Sequence, residues 1–542
     1  MIKGRKRGCL IIFLIVIIFF TSCTNTTGQS TEGKKGTQEE KNVTPVSGGT
    51  LSFSILKPAH FIPLLNQEEE SYYMMKLIFE PLVSLDENNK VKGTLAENWT
   101  VQDNGNKILF HLRKNVLWHD GKAFHADDVK FTLDVLKNKD VDSPYKSYVE
   151  NVSSYQVIND STIELTFSKG KVGHLEDFIF PILPAHRYKK VKDVVTTYKL
   201  DPIGTGPYQL ERYQENRYIT LKANENYWGQ VPHIKKILMK IRNNSQEIVK
   251  SFESKDTDLL KATDPDWSRF SEDKHLKIYS YPTQDYNFIA LNYNNELFQD
   301  KNVRKAIQMA INRKKMIKDI YLGQGEIADM PISPTSWLYD KQQKPYSFQP
   351  EKAKKLLQKS GWKDSNNNQY MDKEFSKGKK ELTFDLIVNK DNPIRLQEAN
   401  SIQRYLKNIG IKVNISRLSI EQIQEKMLNK DFDGILTGWS LSFVPDLSFA
   451  FHSSEIKNGR NFISYKNPQM DRLLMNTAKT YGEKERKSQY SKLQDKIIQE
   501  LPYINLYFNE SAIIVNDRIK GPIQPTDYNI FNNIEEWYIK YK

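Results

Sequence analysis

The sequence predicts an α/β protein, and three observations carry that reading. Between Glu381 and Trp439 short apolar strands alternate with amphipathic helices, the pattern of a parallel sheet. Strand-like and helix-like stretches are interleaved through the rest of the chain rather than segregated. At 542 residues, 39% of them hydrophobic, the chain exceeds what one core usually serves, so two or three domains are expected.

The individual elements follow from periodicity. Gly49 to Ile55, Lys107 to Leu112, Thr162 to Phe167, Tyr218 to Ala223 and Ile234 to Ile241 read as strands. Asp300 caps a single helix with Val303, Ile307, Ala310, Ile311, Ile317 and Ile320 on one face, and Gly323 ends it. Leu382 to Val388 is a strand. A helix carrying Ala399, Ile402, Leu406 and Ile409 follows it, with Gly410 at its end. Ile411 to Ile415 alternates as a second strand, Ile420 to Leu428 forms another helix, and Gly434 to Gly438 is a third, short buried strand. A helix from Glu483 to Glu500 stops before Pro502, and a strand from Tyr503 to Phe508 follows. No fixed-period repeat is present.

The N-terminus reads as an export signal. Lys3, Arg5, Lys6 and Arg7 precede an apolar run from Cys9 to Phe20, too short to span a bilayer comfortably. An uncleaved membrane anchor is the alternative. Thr21 and Ser22 before Cys23 resemble the bacterial lipobox, with Phe20 where leucine is usual. That resemblance implies removal of residues 1–22 and diacylation of Cys23, two chains being enough for a stable anchor. Thr24 to Ser47 is polar and reads as a flexible tether. Loss of Cys9 with the signal would leave a mature chain with no free thiol and no disulfide, so cysteine counting says nothing about metal sites or a redox framework. The net charge of +13 is spread along the chain, and export removes nucleic acid as a partner. A basic surface beside an anionic membrane or wall is the expected meaning.

Candidate chemistry is sparse. Trp118-His119-Asp120-Gly121 with His125, Asp127 and Asp128 mimics a metal cluster, but its spacing fits no specific site. Asp120-Gly121 is a turn dipeptide, and Asp127 and Asp128 suit a helix N-terminus. Gly438-Trp439-Ser440-Leu441-Ser442 resembles the serine-hydrolase elbow but has Ser442 where the final glycine must sit. Gly323-Gln324-Gly325 follows a helix rather than a strand, so it is no dinucleotide loop. Neither a Walker A sequence nor H-E-x-x-H occurs. Trp439 stands at the carboxyl end of the third strand, where open α/β sheets bind ligands. A buried core tryptophan is the equal alternative.

Several motifs together resemble the extracellular solute-binding proteins, family 5, of oligopeptide and dipeptide ABC transporters. They are Gly93-Thr94-Leu95-Ala96-Glu97-Asn98-Trp99, the run from Phe110 to Val116, Trp118 to Lys122 with Ala126 to Val129, and Gly204-Thr205-Gly206-Pro207-Tyr208. Asn302 to Ala306 through Arg313, and Asn461 with Tyr465, Asn467-Pro468 and Asp471, complete the set in family order. The resemblance implies a periplasmic-binding-protein-like fold (class II, cluster C) of two α/β lobes with an extra inserted subdomain. Lobe I would be 48–82, 204–281 and 506–542, the inserted subdomain 83–203, and lobe II 282–505. It implies a non-enzymatic, monomeric, lipid-anchored receptor on the extracytoplasmic face of the cell membrane. The receptor would capture oligopeptides and deliver them to permease and ATPase subunits, without cofactor or metal. Trp439, Ser440, Leu441 and Ser442 match the family's ligand-contacting strand end, and Tyr286, Asn287 and Phe288 a second contacting segment. Trp439 and Tyr286 are expected to wall the cleft from opposite sides. Ser442 stands where many peptide binders place an aspartate for the ligand's amino group, and Val444 replaces a further acid, leaving Asp446 nearby. Carriers of nickel, haem or an opine share the fold and remain open as alternatives, as does, from another class, a secreted hydrolase.

Lipidation predicts that Cys23→Ser releases the protein into the medium or leaves an uncleaved precursor. Fractionation and intact mass check it: equal membrane retention with no loss of acyl mass would overturn it.

Overall fold

Two long antiparallel strands, Leu276–Leu291 and Tyr503–Asn516, form the spine of the fold. The structure, a computed structural model, describes residues 45–542 apart from 170, 197–200, 263–264, 377, 444–445 and 542. The export signal, Cys23 and the tether up to residue 44 lie outside the described residues. Among the described residues no helix is long and apolar enough to cross a membrane.

One mixed sheet runs through the molecule. From one edge its order is Lys412–Leu418, Thr383–Asn389, Gly434–Ser440, then the two long strands. It continues through Leu259–Ala262, Thr50–Leu56, Lys236–Arg242, Tyr218–Ala223 and Tyr208–Gln214. The long strands serve both halves. Residues 285–291 of the first pair with Gly434–Ser440, and residues 512–515 of the second pair with Leu259–Ala262. Two lobes therefore hang on one ribbon. Its ladder is irregular in the middle: Pro282 opposes Glu510 but Tyr286 opposes Phe508, so residues 283–285 bulge out of register.

The parallel unit expected between Glu381 and Trp439 is present. Thr383–Asn389 pairs parallel with both Lys412–Leu418 and Gly434–Ser440. Helices Pro393–Lys407 and Ile420–Asn429 connect them, and Gly410 takes a φ of 83° after the first. A separate antiparallel sheet, in the order Ala96–Gln102, Lys107–Leu112, Thr162–Phe167 and Val152–Asn159, shares a continuous apolar core with the first lobe.

Three expectations need correction. The single helix from Asp300 to Gly323 is two, Lys301–Ala310 and Arg313–Ile320. The Asn312 side chain accepts the Lys315 N–H and caps the second, which breaks the first. The strand from Tyr503 runs past Phe508 to Asn516. Leu276–Leu291 has no counterpart in the strand reading, because Pro282 and the polar run Thr283-Gln284-Asp285 interrupt its alternation.

The metal-like cluster is a clasp between two motifs. The His119 Nδ1 accepts the Gly204 N–H at 3.2 Å, and its Nε2–H donates to the Gly206 carbonyl at 3.0 Å. Gly204 must be glycine, since a Cβ there would lie 1.8 Å from the Ile78 carbonyl oxygen. Asp128 accepts from the Trp118 indole, the His125 N–H and the Ala185 N–H. Asp120 pairs with His186 at 2.8 Å. Among the described residues no group of three His, Cys, Asp or Glu is placed to hold a metal ion.

Burial holds the His119 imidazole neutral, with its pKa lowered from 6.5 to about 4. Below about 6.5 the unfolded chain takes up a proton first, so this contribution is whole above that pH and is lost towards about 4. Melting curves should fall across that window. His119→Ala should cost about 2–3 kcal/mol at neutral pH by leaving backbone partners unmatched, and should flatten part of the pH dependence.

Candidate functional site

The strand Gly434–Ser440 reaches past its neighbours. It pairs with Thr383–Asn389 only through Gly434 and Ile435, and with the first long strand along its whole length, Trp439 opposite Tyr286. Its far end, and the residues after it, enter the space between the lobes. Two adjoining cavities lie there, of about 450 Å³ and about 580 Å³. Tyr148, Gln284, Ser440, Leu441 and Phe443 line both and form the waist between them.

Trp439 lines the first cavity and is half-buried. Its indole meets Phe449 and Phe462 edge-on at 5.5 and 5.9 Å, and its Nε1–H donates to the Tyr503 hydroxyl at 3.3 Å. Trp439 thus lines the cavity with part of its ring and packs the rest against the apolar core below. The Leu441 N–H donates to the Gln284 carbonyl at 2.9 Å, which ties the strand end to the bulge. Ser442 lines the first cavity with its Oγ 3.1 Å from the Tyr148 hydroxyl. Asp446 lines it too, and its carboxylate accepts the Ser448 N–H at 2.8 Å. Val444 lies outside the described residues.

Tyr286, Asn287 and Phe288 do not reach either cavity. Tyr286 and Phe288 are fully buried, and Asn287 is 3% exposed. Tyr286 donates to Asn505 and stacks on Phe288, whose ring lies 3.9 Å from that of Tyr503. Asn287 donates to Asn509 and accepts from Arg395. Trp439 and Tyr286 are ladder partners on adjacent strands, so they cannot face each other across a cleft. The second segment is an aromatic platform under the site.

Sequence reasoning missed the opposite wall. Tyr148, His174, Glu176 and Asp177 line the first cavity from the side of the separate antiparallel sheet. Glu176 forms an ion pair with Arg486, whose Nη1 donates to both carboxylate oxygens at 2.8 and 3.1 Å, both side chains buried. Burial alone would raise the Glu176 carboxyl, but the Arg486 guanidinium outweighs it and holds it below its ordinary value. Burial and the Glu176 charge push Asp177 well up. The His174 Nε2–H donates to the Ala478 carbonyl at 3.3 Å, and the Trp337 N–H to the Asn88 carbonyl at 2.9 Å. Glu176 and Arg486 lie 310 residues apart with no motif around either, so only the fold could reveal the pair.

The comparisons with known proteins agree with this architecture. Residues 90–460 match the model of bacterial extracellular solute-binding proteins, family 5. The oligopeptide-binding protein AppA of Bacillus subtilis is 30% identical over 550 residues, covering 99% of each chain. Its solved structure, in complex with a nonapeptide, superposes with a TM-score of 0.67 over 92% of this chain and 100% of its own. NikZ of Campylobacter jejuni, solved in complex with Ni(L-His), is 26% identical with a TM-score of 0.68, over 90% of this chain and 99% of its own. The chain belongs to the extracellular solute-binding proteins, family 5, a family of two-lobed binding proteins.

Trp439 joins the cavity wall to the platform, so Trp439→Ala should weaken ligand binding by about 2 kcal/mol or more. It should also lower the melting temperature, through a packing loss of about 3 kcal/mol. Calorimetric titration and thermal melting of one preparation read the two effects separately. Unchanged affinity in the folded protein would remove Trp439 from the site.

Proposed function

We propose that the protein is the ligand-binding component of an ABC importer, holding an oligopeptide between its lobes and presenting it to permease and ATPase subunits. One observation carries the reading. Two extended segments from opposite lobes line the same cavity: residues 66–68, with Asn66 and Glu68 both in the extended region, and residues 440–441 at the open strand end. A peptide laid between them can be held by its main chain, which tolerates any side-chain sequence. The similarity to AppA, solved with a nonapeptide, supports it. Trp439, Ser440, Leu441, Ser442 and Asp446 are the proposed contacts on the lobe II side.

The moving bodies in this reading are the modules 48–82 with 204–281 and 506–542, 83–203, and 282–505. The bulge at 283–285 is the hinge between them. The Glu176–Arg486 pair closes the cleft on its far side. The protein performs no catalysis. A diacyl group on Cys23 and the polar tether keep the monomer at the extracytoplasmic face of the membrane. Ser442 in place of the usual aspartate, together with the similarity to NikZ, supports a non-peptide ligand as the second reading.

Calorimetric titration with nonapeptides and, in parallel, with Ni(L-His) separates the two. Peptide binding, with the peptide recovered intact by mass spectrometry, is expected. Binding of Ni(L-His) alone would overturn the peptide reading, and recovery of fragments would make the protein a hydrolase. Small-angle scattering should show a smaller radius of gyration at saturating peptide, and an unchanged radius would count against the clamp.

A further inference from the structure

Contrary to the expectation that it is spread along the chain, the net charge is concentrated. The whole sequence carries +13, and residues 301–363 hold fourteen lysines and arginines against five acids, so most of the excess lies in this one stretch of lobe II. The fold gathers it on one face. Helices Lys301–Ala310 and Pro350–Lys359 lie antiparallel, with the Asn302 amide donating to the Ser360 hydroxyl at 2.9 Å and the Gln349 N–H to the Met309 carbonyl at 2.8 Å. Arg313 donates to the Tyr346 carbonyl at 2.9 Å, which brings the helix Arg313–Ile320 beside them. Lys314, Lys318, Lys344, Lys352, Lys355 and Lys359 are exposed and, among the described residues, form no ion pair. On the helix Pro350–Lys359, Ala353 and Leu357 are buried, and Lys352, Lys355 and Lys359 make a stripe on the opposite side. Phe348, 43% exposed, stands just before that helix with its ring 6.2 Å from that of Tyr405.

The acids do not neutralise this face. Asp319 is taken by Lys315 and the buried Asp329 by Arg313. Asp340 accepts the Ser491 hydroxyl, and Glu326 lies on the strand paired with Tyr503–Asn516. Glu351 stands among the lysines, in the first turn of their helix. Asp300 and Asp364, which flank the stretch, accept the N–H groups of Asn302 and Asn368. Lobe I is built differently: its Lys57, Lys235, Lys236 and Lys240 pair with Glu215, Glu225, Glu211 and Asp256. A surface of mixed sign suffices for solubility, whereas a field of one sign repels itself and attracts an anionic partner.

The side chains select the kind of partner. A protein partner with fixed carboxylates favours the rigid fork of arginine, but Arg304 and Arg313 are buried and donate to the carbonyls of Glu500 and Ala328. What faces outward is lysine, a point charge on a flexible stem, which meets mobile phosphates at no set spacing. We propose that this face of lobe II lies against an anionic lipid bilayer, its lysines meeting lipid phosphates. Phe348 beside them supplies an apolar tip of the kind that enters such an interface. The acyl anchor proposed on Cys23 would bring the body to the membrane, and the lysine face would decide how it lies there, whatever the ligand.

The test uses the full-length chain with Cys23→Ser, so that no acyl group contributes, and vesicles of phosphatidylcholine with or without phosphatidylglycerol. Binding is read by co-sedimentation. Phosphatidylglycerol should tighten it by about tenfold or more, and the gain should shrink as salt is raised. Adding Lys352→Gln/Lys355→Gln/Lys359→Gln should remove most of the gain. Adding Lys57→Gln/Lys222→Gln/Lys236→Gln instead, which takes the same charge from lobe I, should keep it. All six lysines are exposed, and melting curves check that both variants fold. No gain from phosphatidylglycerol overturns the inference. So does an equal loss in the two triple variants, which would make the effect one of net charge alone. Binding to lipid-free cell walls with no gain on vesicles would assign the face to a wall polymer and overturn it as well.

Discussion

The antiparallel pairing of Leu276–Leu291 with Tyr503–Asn516 is the constraint on which the rest of the structure depends. Each strand gives one half of its length to one lobe's sheet and the other half to the second lobe. Every buried backbone group along such a ribbon must find a partner, so the ladder cannot be dissolved to let the lobes move. It can be interrupted locally, and it is, at residues 283–285. The Thr283 hydroxyl donates to the Asn509 carbonyl, and the Gln284 N–H donates to Asp527, so the interruption is satisfied by other groups. The same three residues line the second cavity. The break in the spine and the floor of the cleft are one feature.

Beneath the strand end the ribbon is stiff. Tyr286, Phe288 and Tyr503 stack closely, and Trp439 lies against them. Aromatic rings supply large contact area with few rotatable bonds, so a site resting on them is held in place without being shaped to one side chain. That property suits recognition of a main chain, in which the strand edge supplies the hydrogen bonds and the cavity walls stand back.

Across the cleft an edge-on contact of Phe443 with Tyr528 is accompanied by ionic and polar contacts. A buried Glu176–Arg486 pair is weak evidence of net stability, because desolvation of two ions offsets much of their attraction. Its geometry nevertheless has a consequence for motion: parting the two would leave each ion to be rehydrated or stranded. Hydrogen bonds from Trp337 to Asn88 and between Tyr148 and Ser442 span the same gap. Polar contacts of this kind open to water at modest cost, whereas the apolar contact of Phe443 with Tyr528 resists opening.

Local elements were legible because their causes are local. The strand and helix alternation from Glu381 to Trp439, the end of a helix at Gly410 and the helix Glu483–Glu500 all follow from side-chain period and end residues. The motifs around Trp118 and Gly204 were legible as motifs, but not as halves of one clasp, since nothing in the chain says that His119 lies between the carbonyl of Gly206 and the N–H of Gly204. Leu276–Leu291 was illegible as a strand because a residue in a bulge has no alternation to show. Trp439 was placed at a strand end by its sequence, and its position on the wall of the first cavity came from the fold. Tyr286 was placed at the cleft by the family resemblance, which matches a segment of chain without saying which of its side chains the fold buries. The family and the strand end were determined by the sequence alone. The opposite wall, the Glu176–Arg486 pair and the two adjoining cavities were decided only by tertiary structure, because each joins residues whose encounter depends on how distant parts of the chain pack.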